Sequence, residues 1–252
     1  MLTGIETGYE EKFDFPYRTA EPSLAYMLAT VPRSGSTFLS HLLWQSGCLG
    51  APLEYLNFLP TSPYSHVSGS PDKQAQLWKA LLHRRTSPNG VFGVKCFPLQ
   101  LRELYRTNGL LFLEVMRLLL PRGSGARVVR LKRRDQTAHA ISYARAALSG
   151  VWRQEQEANG PALVEYSSEA VDHARKLIQR SEKDLDRLLS DAKAEQLVLW
   201  YEDVVDRPSL AVQRVADFLK VQVETDAAVE VPEIRQQSQS EARKWVEKYT
   251  SS

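Results

Sequence analysis

The residues best suited to chemistry lie in the run Pro32-Arg33-Ser34-Gly35-Ser36-Thr37, which combines hydroxyls, a glycine and one guanidinium. Backbone N–H groups in such a turn can face an anion, and a helix that follows adds its positive end. The flanking sequence supplies both supports. Ala25 to Val31 is an apolar run of strand length, and Phe38, Leu39, Leu42 and Leu43 recur at the spacing of a helix face. Strand, small polar loop and helix in succession form a nucleotide-binding unit. Set against the pattern G-x-x-x-x-G-K-[ST], the match is partial: Thr30 stands at the first Gly, Gly35 and Thr37 fit, and Ser36 replaces the Lys. An ATP or GTP site needs that Lys on the β- and γ-phosphates. With the cation moved to Arg33, the loop suits a donor whose bridging oxygen a guanidinium could meet. An ordinary strand-to-helix turn with a chance Arg has the same composition, so other segments must decide.

A second cluster is of the same kind. Arg127, Arg130, Lys132, Arg133 and Arg134 crowd one strand end, Asp135 can cap a helix, and Ser142 lies about two turns into it. Arg133 or Arg134 could converge with Ser142 on a second phosphate group, one by charge and the other by hydrogen bonding. A solvated strand end is the alternative, and the presence of two anion sites in one chain weighs against it. Lys95 closes the apolar run Val91 to Val94, pointing either to a ligand at the carboxyl edge of a sheet or to solvent. Trp152-Arg153 and Trp245 offer aromatic faces that suit a sugar, or core packing. His41, His66, His83 and His173 have no evident partners.

The elements that must position these residues follow from pattern and punctuation. Residues 1–23 read as an irregular lead-in broken by Pro16 and Pro22, and Ala51 to Pro71, rich in Pro, Ser, Tyr and Asn, as a loop over a site. Helices are predicted over Asp72–Arg85 with Leu77, Ala80 and Leu81 on one face, Leu110–Leu120, Asp135–Ala147, Ser168–Leu189 and Pro208–Leu219. Val91–Phe97 and Leu197–Tyr201 read as buried strands, and Ala126–Leu131 as a further strand. Strands alternating with helices predict a single three-layer α/β domain, residues 1–252, with a mainly parallel central sheet flanked by helices.

Composition limits the function classes. With 252 residues, 43% of them hydrophobic, the chain can bury a sizeable core, and a net charge of +2 argues against nucleic acid or another acidic polymer as its main partner. Cys48 and Cys96 are far apart and match no disulfide framework or zinc spacing. The N-terminal stretch carries acids where an export signal needs basic and then apolar residues. Leu110 to Leu120 is interrupted by Glu114 and Arg117 and is too short to span a bilayer. The expectation is a cytoplasmic protein with no integral membrane segment.

PRSGST after one strand and RRDQTAHAIS after another resemble the two nucleotide-binding segments of sulfotransferases that use PAPS (3′-phosphoadenosine 5′-phosphosulfate). TVPRSGSTFLSHLLWQSGCLGAPLEYLNF, NGVFGVK, RRDQTAHAISYARA with VWR beyond it, and KWVEKY resemble more closely the bacterial trehalose sulfotransferase type. The resemblance implies the P-loop-like sulfotransferase fold, PAPS as donor without a metal, and a hydroxyl of a carbohydrate or glycolipid as acceptor. It implies that Arg33, Ser34, Gly35, Ser36 and Thr37 hold the 5′-phosphosulfate with Arg33 near the bridging oxygen. Arg133 or Arg134, with Ser142, would hold the 3′-phosphate, Glu54 would be the general base, and a homodimer is possible. His139, one turn before Ser142, is the rival base. Ala51 departs from the acidic residue of the trehalose type, and residues 56–88 are hard to match, so the acceptor is less specified than the donor. An ATP-dependent small-molecule kinase and a non-catalytic nucleotide-binding protein are the other two classes.

Overall fold

A computed structural model describes residues 6–123, 125–152, 164–233 and 239–251. The apolar run before the Arg33 loop becomes β1 (Leu24–Ala29), followed by α1 (Ser36–Gln45), α2 (Pro71–Arg84) and β2 (Val91–Cys96). Then come α3 (Pro98–Thr107), α4 (Gly109–Leu119), β3 (Arg127–Lys132), α5 (Gln136–Ser149) and α6 (Ser168–Asp191). The chain continues through β4 (Glu195–Trp200), α7 (Tyr201–Asp206), α8 (Pro208–Leu219) and α9 (Gln239–Thr250). The strands form one sheet in the order β2-β1-β3-β4, and all its neighbours are parallel.

Alternation along the strands builds two cores. Tyr26 and Leu28 of β1 face Leu39 and Leu43 of α1 and Val215 and Leu219 of α8, together with Val129, Leu131 and Leu199. Met27 and Ala29 face the opposite side, where Phe92, Val94 and Val128 pack with Trp78, Val115, Leu119, Ile141, Ile178 and Leu185 from α2, α4, α5 and α6. Each such side chain contributes about 1.5–3 kcal/mol by leaving water. Helices on both faces of a parallel sheet make the three-layer α/β architecture expected from the alternating pattern.

The structure corrects the reading of several elements. α3 and α7 lie in stretches for which no helix was predicted, and so does α9. The buried stripe of α2 is Gln74, Trp78, Leu81 and Leu82; Ala80 is exposed, because the bulky Trp78 sets which face turns inward. β4 is not a fully buried strand: it is the sheet edge, with Glu195 and Gln196 exposed and Val198 39% accessible, and Tyr201 already begins α7. A strand paired on one side only loses the cover that makes an inner strand uniformly apolar.

The strand order also locates the site. From β1 the chain moves outward to β2 and then returns past β1 to β3, so the topological switch point falls between β1 and β3. Ligands of open α/β sheets bind outside the carboxyl ends of the strands at such a point. The loops that leave β1 and β3 there are those carrying Arg33 and Arg133.

Candidate active site

The loop after β1 is pinned from below. Buried Thr30 donates its hydroxyl proton to the Leu131 carbonyl at 2.8 Å, which makes Ser34 the donor in the 2.6 Å contact between the Ser34 and Thr30 hydroxyls. Arg33 and Gly35 both take positive φ, 68° and 84°. For Gly35 this is inexpensive, whereas a side-chain-bearing residue in that region is strained and such strain clusters at functional sites. Gly35 is the N-cap of α1 and brings no capping side chain, so it leaves room for an external anion at the helix start. Its α-hydrogen faces Tyr201, and a Cβ at Gly35 would overlap the Tyr201 ring. Gly35→Ala should therefore cost about 2–4 kcal/mol, the sum of the left-handed penalty and overpacking. Thermal melting of the variant checks this: a melting temperature equal to wild type would show that the loop yields freely.

The segment after β3 closes over the same loop. Arg33 Nε donates to Ser142 Oγ at 3.1 Å, and Arg33 Nη1 to the Trp152 carbonyl at 2.6 Å. Arg133 Nη1 donates to the Arg33 carbonyl at 3.4 Å, its guanidinium carbon lies 4.9 Å from the Tyr201 ring centroid, and its Nε is buried with no hydrogen-bond partner among the described residues. Arg134 turns away. It forms a two-pronged pair with Asp203, both contacts 2.7 Å, stacks on Trp200, and its side chain is 49% exposed. Thus Arg133, Ser142 and residues 33–37 gather at the switch point, and Arg134 does not join them.

His139, considered above as a base, points elsewhere. Its Nε2 lies 2.9 Å from the Pro32 carbonyl, and burial pulls its pKa down to about 4. A carbonyl only accepts, so Nε2 carries the proton and the ring is the neutral Nε2–H form.

Glu54 is brought in by the far side of the sheet. Leu53 bridges to Val94, with the Lys95 N–H donating to the Leu53 carbonyl at 3.0 Å, so the segment lies along the end of β2. Strand alternation turns Lys95 toward α1 rather than to solvent. Its ammonium is 2.9 Å from Glu54 Oε1 and donates to Thr37 Oγ1 at 3.2 Å, with side-chain exposures of 2% for Lys95 and 17% for Glu54. Gln100 Nε2 donates to Glu54 Oε2 at 3.0 Å while its Oε1 accepts the Phe97 N–H at 3.2 Å, and Asn57 adds a 3.4 Å contact. The Glu54 N–H donates to the Tyr9 hydroxyl at 3.2 Å, so the N-terminal lead-in reaches the site.

Sequence reasoning missed Gln100, Tyr9 and Tyr201. For Gln100 a signal existed: Pro98 at the first helical position and Gln three residues after Phe97 mark a helix start. Tyr9 and Tyr201 carried none. Trp152 is partly exposed and edge-on to Tyr143, Trp245 is buried against Tyr166, and Ala51 is fully buried with its carbonyl accepting the Tyr55 hydroxyl. Arg153 lies outside the described residues. Among the described residues there is no group of three or more His, Cys, Asp or Glu placed to hold a metal ion, and no helix long and apolar enough to cross a membrane.

A sheet whose switch point is lined by an uncapped helix start, guanidinium groups and hydroxyls has the chemistry to hold a phosphate-bearing ligand. A model of the Stf0 sulphotransferase family matches residues 25–252, so the chain belongs to that family and is a sulfotransferase. Trehalose 2-sulfotransferase of Mycolicibacterium smegmatis is 24% identical, with 89% of this chain and 94% of that protein covered. The protein of the same name from Mycobacterium tuberculosis is also 24% identical, covering 89% and 93%. Among solved structures, a sulfotransferase from Alicyclobacillus acidocaldarius matches with a TM-score of 0.43 at 13% identity, covering 92% of this chain and 93% of that one. The sulfotransferase domain from the curacin biosynthetic pathway matches with a TM-score of 0.43 at 16% identity, covering 82% and 76%.

Proposed function

We propose that the protein transfers a sulfuryl group from PAPS to a hydroxyl of a carbohydrate or glycolipid in the cytoplasm, with Glu54 as general base. One observation carries the reading: a single buried ammonium, that of Lys95, touches both Glu54 and Thr37 of the anion loop. The candidate base and the candidate donor loop therefore belong to one site. Residues 33–37 would hold the 5′ end of the donor. Arg133 and Ser142 would hold its 3′-phosphate, a reading favoured by the buried Arg133 Nε, which meets no acceptor among the described residues, and by the commitment of Arg134 to Asp203. The carbohydrate class of acceptor is taken from the trehalose 2-sulfotransferases, and trehalose itself is a natural first candidate.

The donor supplies a sulfuryl group already activated by its bond to phosphate. In the proposed reaction the acceptor oxygen bonds to sulfur, its proton passes to Glu54, and the bridging oxygen leaves with the electron pair on phosphate. Glu54 is held at both oxygens by Lys95 and Gln100, which fixes its direction as an acceptor of that proton. Arg33 and the first-turn N–H groups of α1 meet the charge that builds on the departing phosphate.

Calorimetric titration with 3′-phosphoadenosine 5′-phosphate in EDTA, beside ATP with magnesium, tests the donor. Metal-free binding should be detected, and both Arg33→Ala and Ser142→Ala should weaken it by about tenfold or more, as expected for charge-assisted hydrogen bonds. Binding of ATP with magnesium alone would replace this reading with that of a variant kinase.

A further inference from the structure

The buried imidazole that the proposed reaction leaves unused sits against the most strained residue of the donor loop. His139 is 1% exposed, and its Nε2–H is given to the Pro32 carbonyl, the peptide group that leads directly into Arg33. We infer that His139 is a positioning residue, which holds the Pro32–Arg33 peptide so that Arg33 stays in the left-handed conformation that aims its guanidinium at the site. This inference rests on residues 33–37 being the donor loop.

Besides the Nη1 contact with the Trp152 carbonyl, three contacts come to Arg33 from α5 and the turn that leads into it. His139 grips the carbonyl before it, Arg133 Nη1 reaches its own carbonyl at 3.4 Å, and Ser142 Oγ accepts from its Nε at 3.1 Å. His139 and Ser142 are three residues apart on α5, hence on the same face one turn apart. One rigid helix thus holds both the backbone and the side chain of Arg33. Without the His139 contact, a residue at φ 68° would relax toward the ordinary regions of backbone space. The guanidinium would then leave the position that Ser142 marks. The chemistry asks only for an N–H at that place. The Nδ1 atom is buried with no hydrogen-bond partner among the described residues, so the contact with the loop is made through Nε2.

The test compares His139→Leu, which fills the space without a donor, with His139→Gln, whose amide can present an N–H at similar reach. His139→Leu should weaken metal-free binding of 3′-phosphoadenosine 5′-phosphate by about tenfold and raise the donor KM while leaving the acceptor KM alone. His139→Gln should restore binding to within about threefold of wild type, since it restores the hydrogen bond. Nitrogen NMR of the wild-type imidazole should show the neutral Nε2–H tautomer, a readout that needs no variant to fold. Wild-type affinity in His139→Leu, failure of His139→Gln to rescue, or an Nδ1–H tautomer would each overturn the inference. Absence of binding by the wild-type protein would instead defeat the donor reading.

Discussion

Glu54→Gln is expected to lower turnover by about 10²–10⁴-fold, the range for loss of a positioned general base, while metal-free binding of 3′-phosphoadenosine 5′-phosphate is retained. The substitution keeps the size of the side chain and its distance from Gln100 and Lys95, and it removes the ability to accept a proton from a hydroxyl. It also has a structural cost. The Lys95 ammonium, 2% exposed, would face an amide where it now faces a carboxylate at 2.9 Å. Breaking a buried pair costs about 3–5 kcal/mol at full burial, and less is expected here because the Glu54 side chain keeps 17% of its surface in contact with water. Donor titration and activity must therefore be measured well below the melting temperature of the variant. Full turnover in a folded Glu54→Gln protein would remove Glu54 from the reaction. Loss of donor binding together with turnover would move its role from proton transfer to the architecture around Thr37.

Arg33 is expected to give the second large effect, about a 10²–10³-fold loss of kcat in Arg33→Ala, as for removal of one preorganised group that meets developing charge. Arg33→Lys should recover little of it. The guanidinium works as a fork, with Nε on Ser142 and Nη1 on the Trp152 carbonyl, and an ammonium cannot occupy both places. Stability should move the other way between two truncations. Both Arg33→Ala and Arg33→Gly lose the side chain, but only glycine adopts φ near 68° without a Cβ penalty, so Arg33→Gly should be the more stable of the two by about 1 kcal/mol. A paired measurement of melting and turnover checks both claims. Equal stability would show that the loop stores no backbone strain, and wild-type turnover in both would assign the charge stabilisation to other groups. The expected outcome is a residue retained at a cost in stability, the usual trade at a working site.

The class of architecture is legible in the chain alone, because strand and helix periodicity are local properties. Ala25 to Val31 is apolar and short enough for a buried strand, and β1 ends at Ala29 just before the turn; Val171, Ala174, Ile178 and Leu185 repeat at a helical period along α6, where all four are buried. The loop Arg33 to Thr37 was legible for the same reason: its small and hydroxyl-bearing residues are consecutive. So was Asp135, whose side chain accepts the Ala138 N–H as a cap. The contacts between segments distant in the chain had to await the assembled fold. Lys95 could have faced solvent; it is buried because Leu53 bridges to Val94 and carries Glu54 over the end of β2. Arg133 and Arg134 are indistinguishable as neighbours in sequence, and Asp203, from a helix that no pattern announced, takes Arg134. His139, one turn before Ser142, could be read as a rival base, yet its proton goes to the Pro32 carbonyl on another strand's loop. Even the burial of β4 depended on its place at the sheet edge. A periodic pattern tells which face of an element is apolar. Which charged or hydrogen-bonding group stands opposite is settled when the sheet assembles, since each of these groups must then find a partner or remain in water.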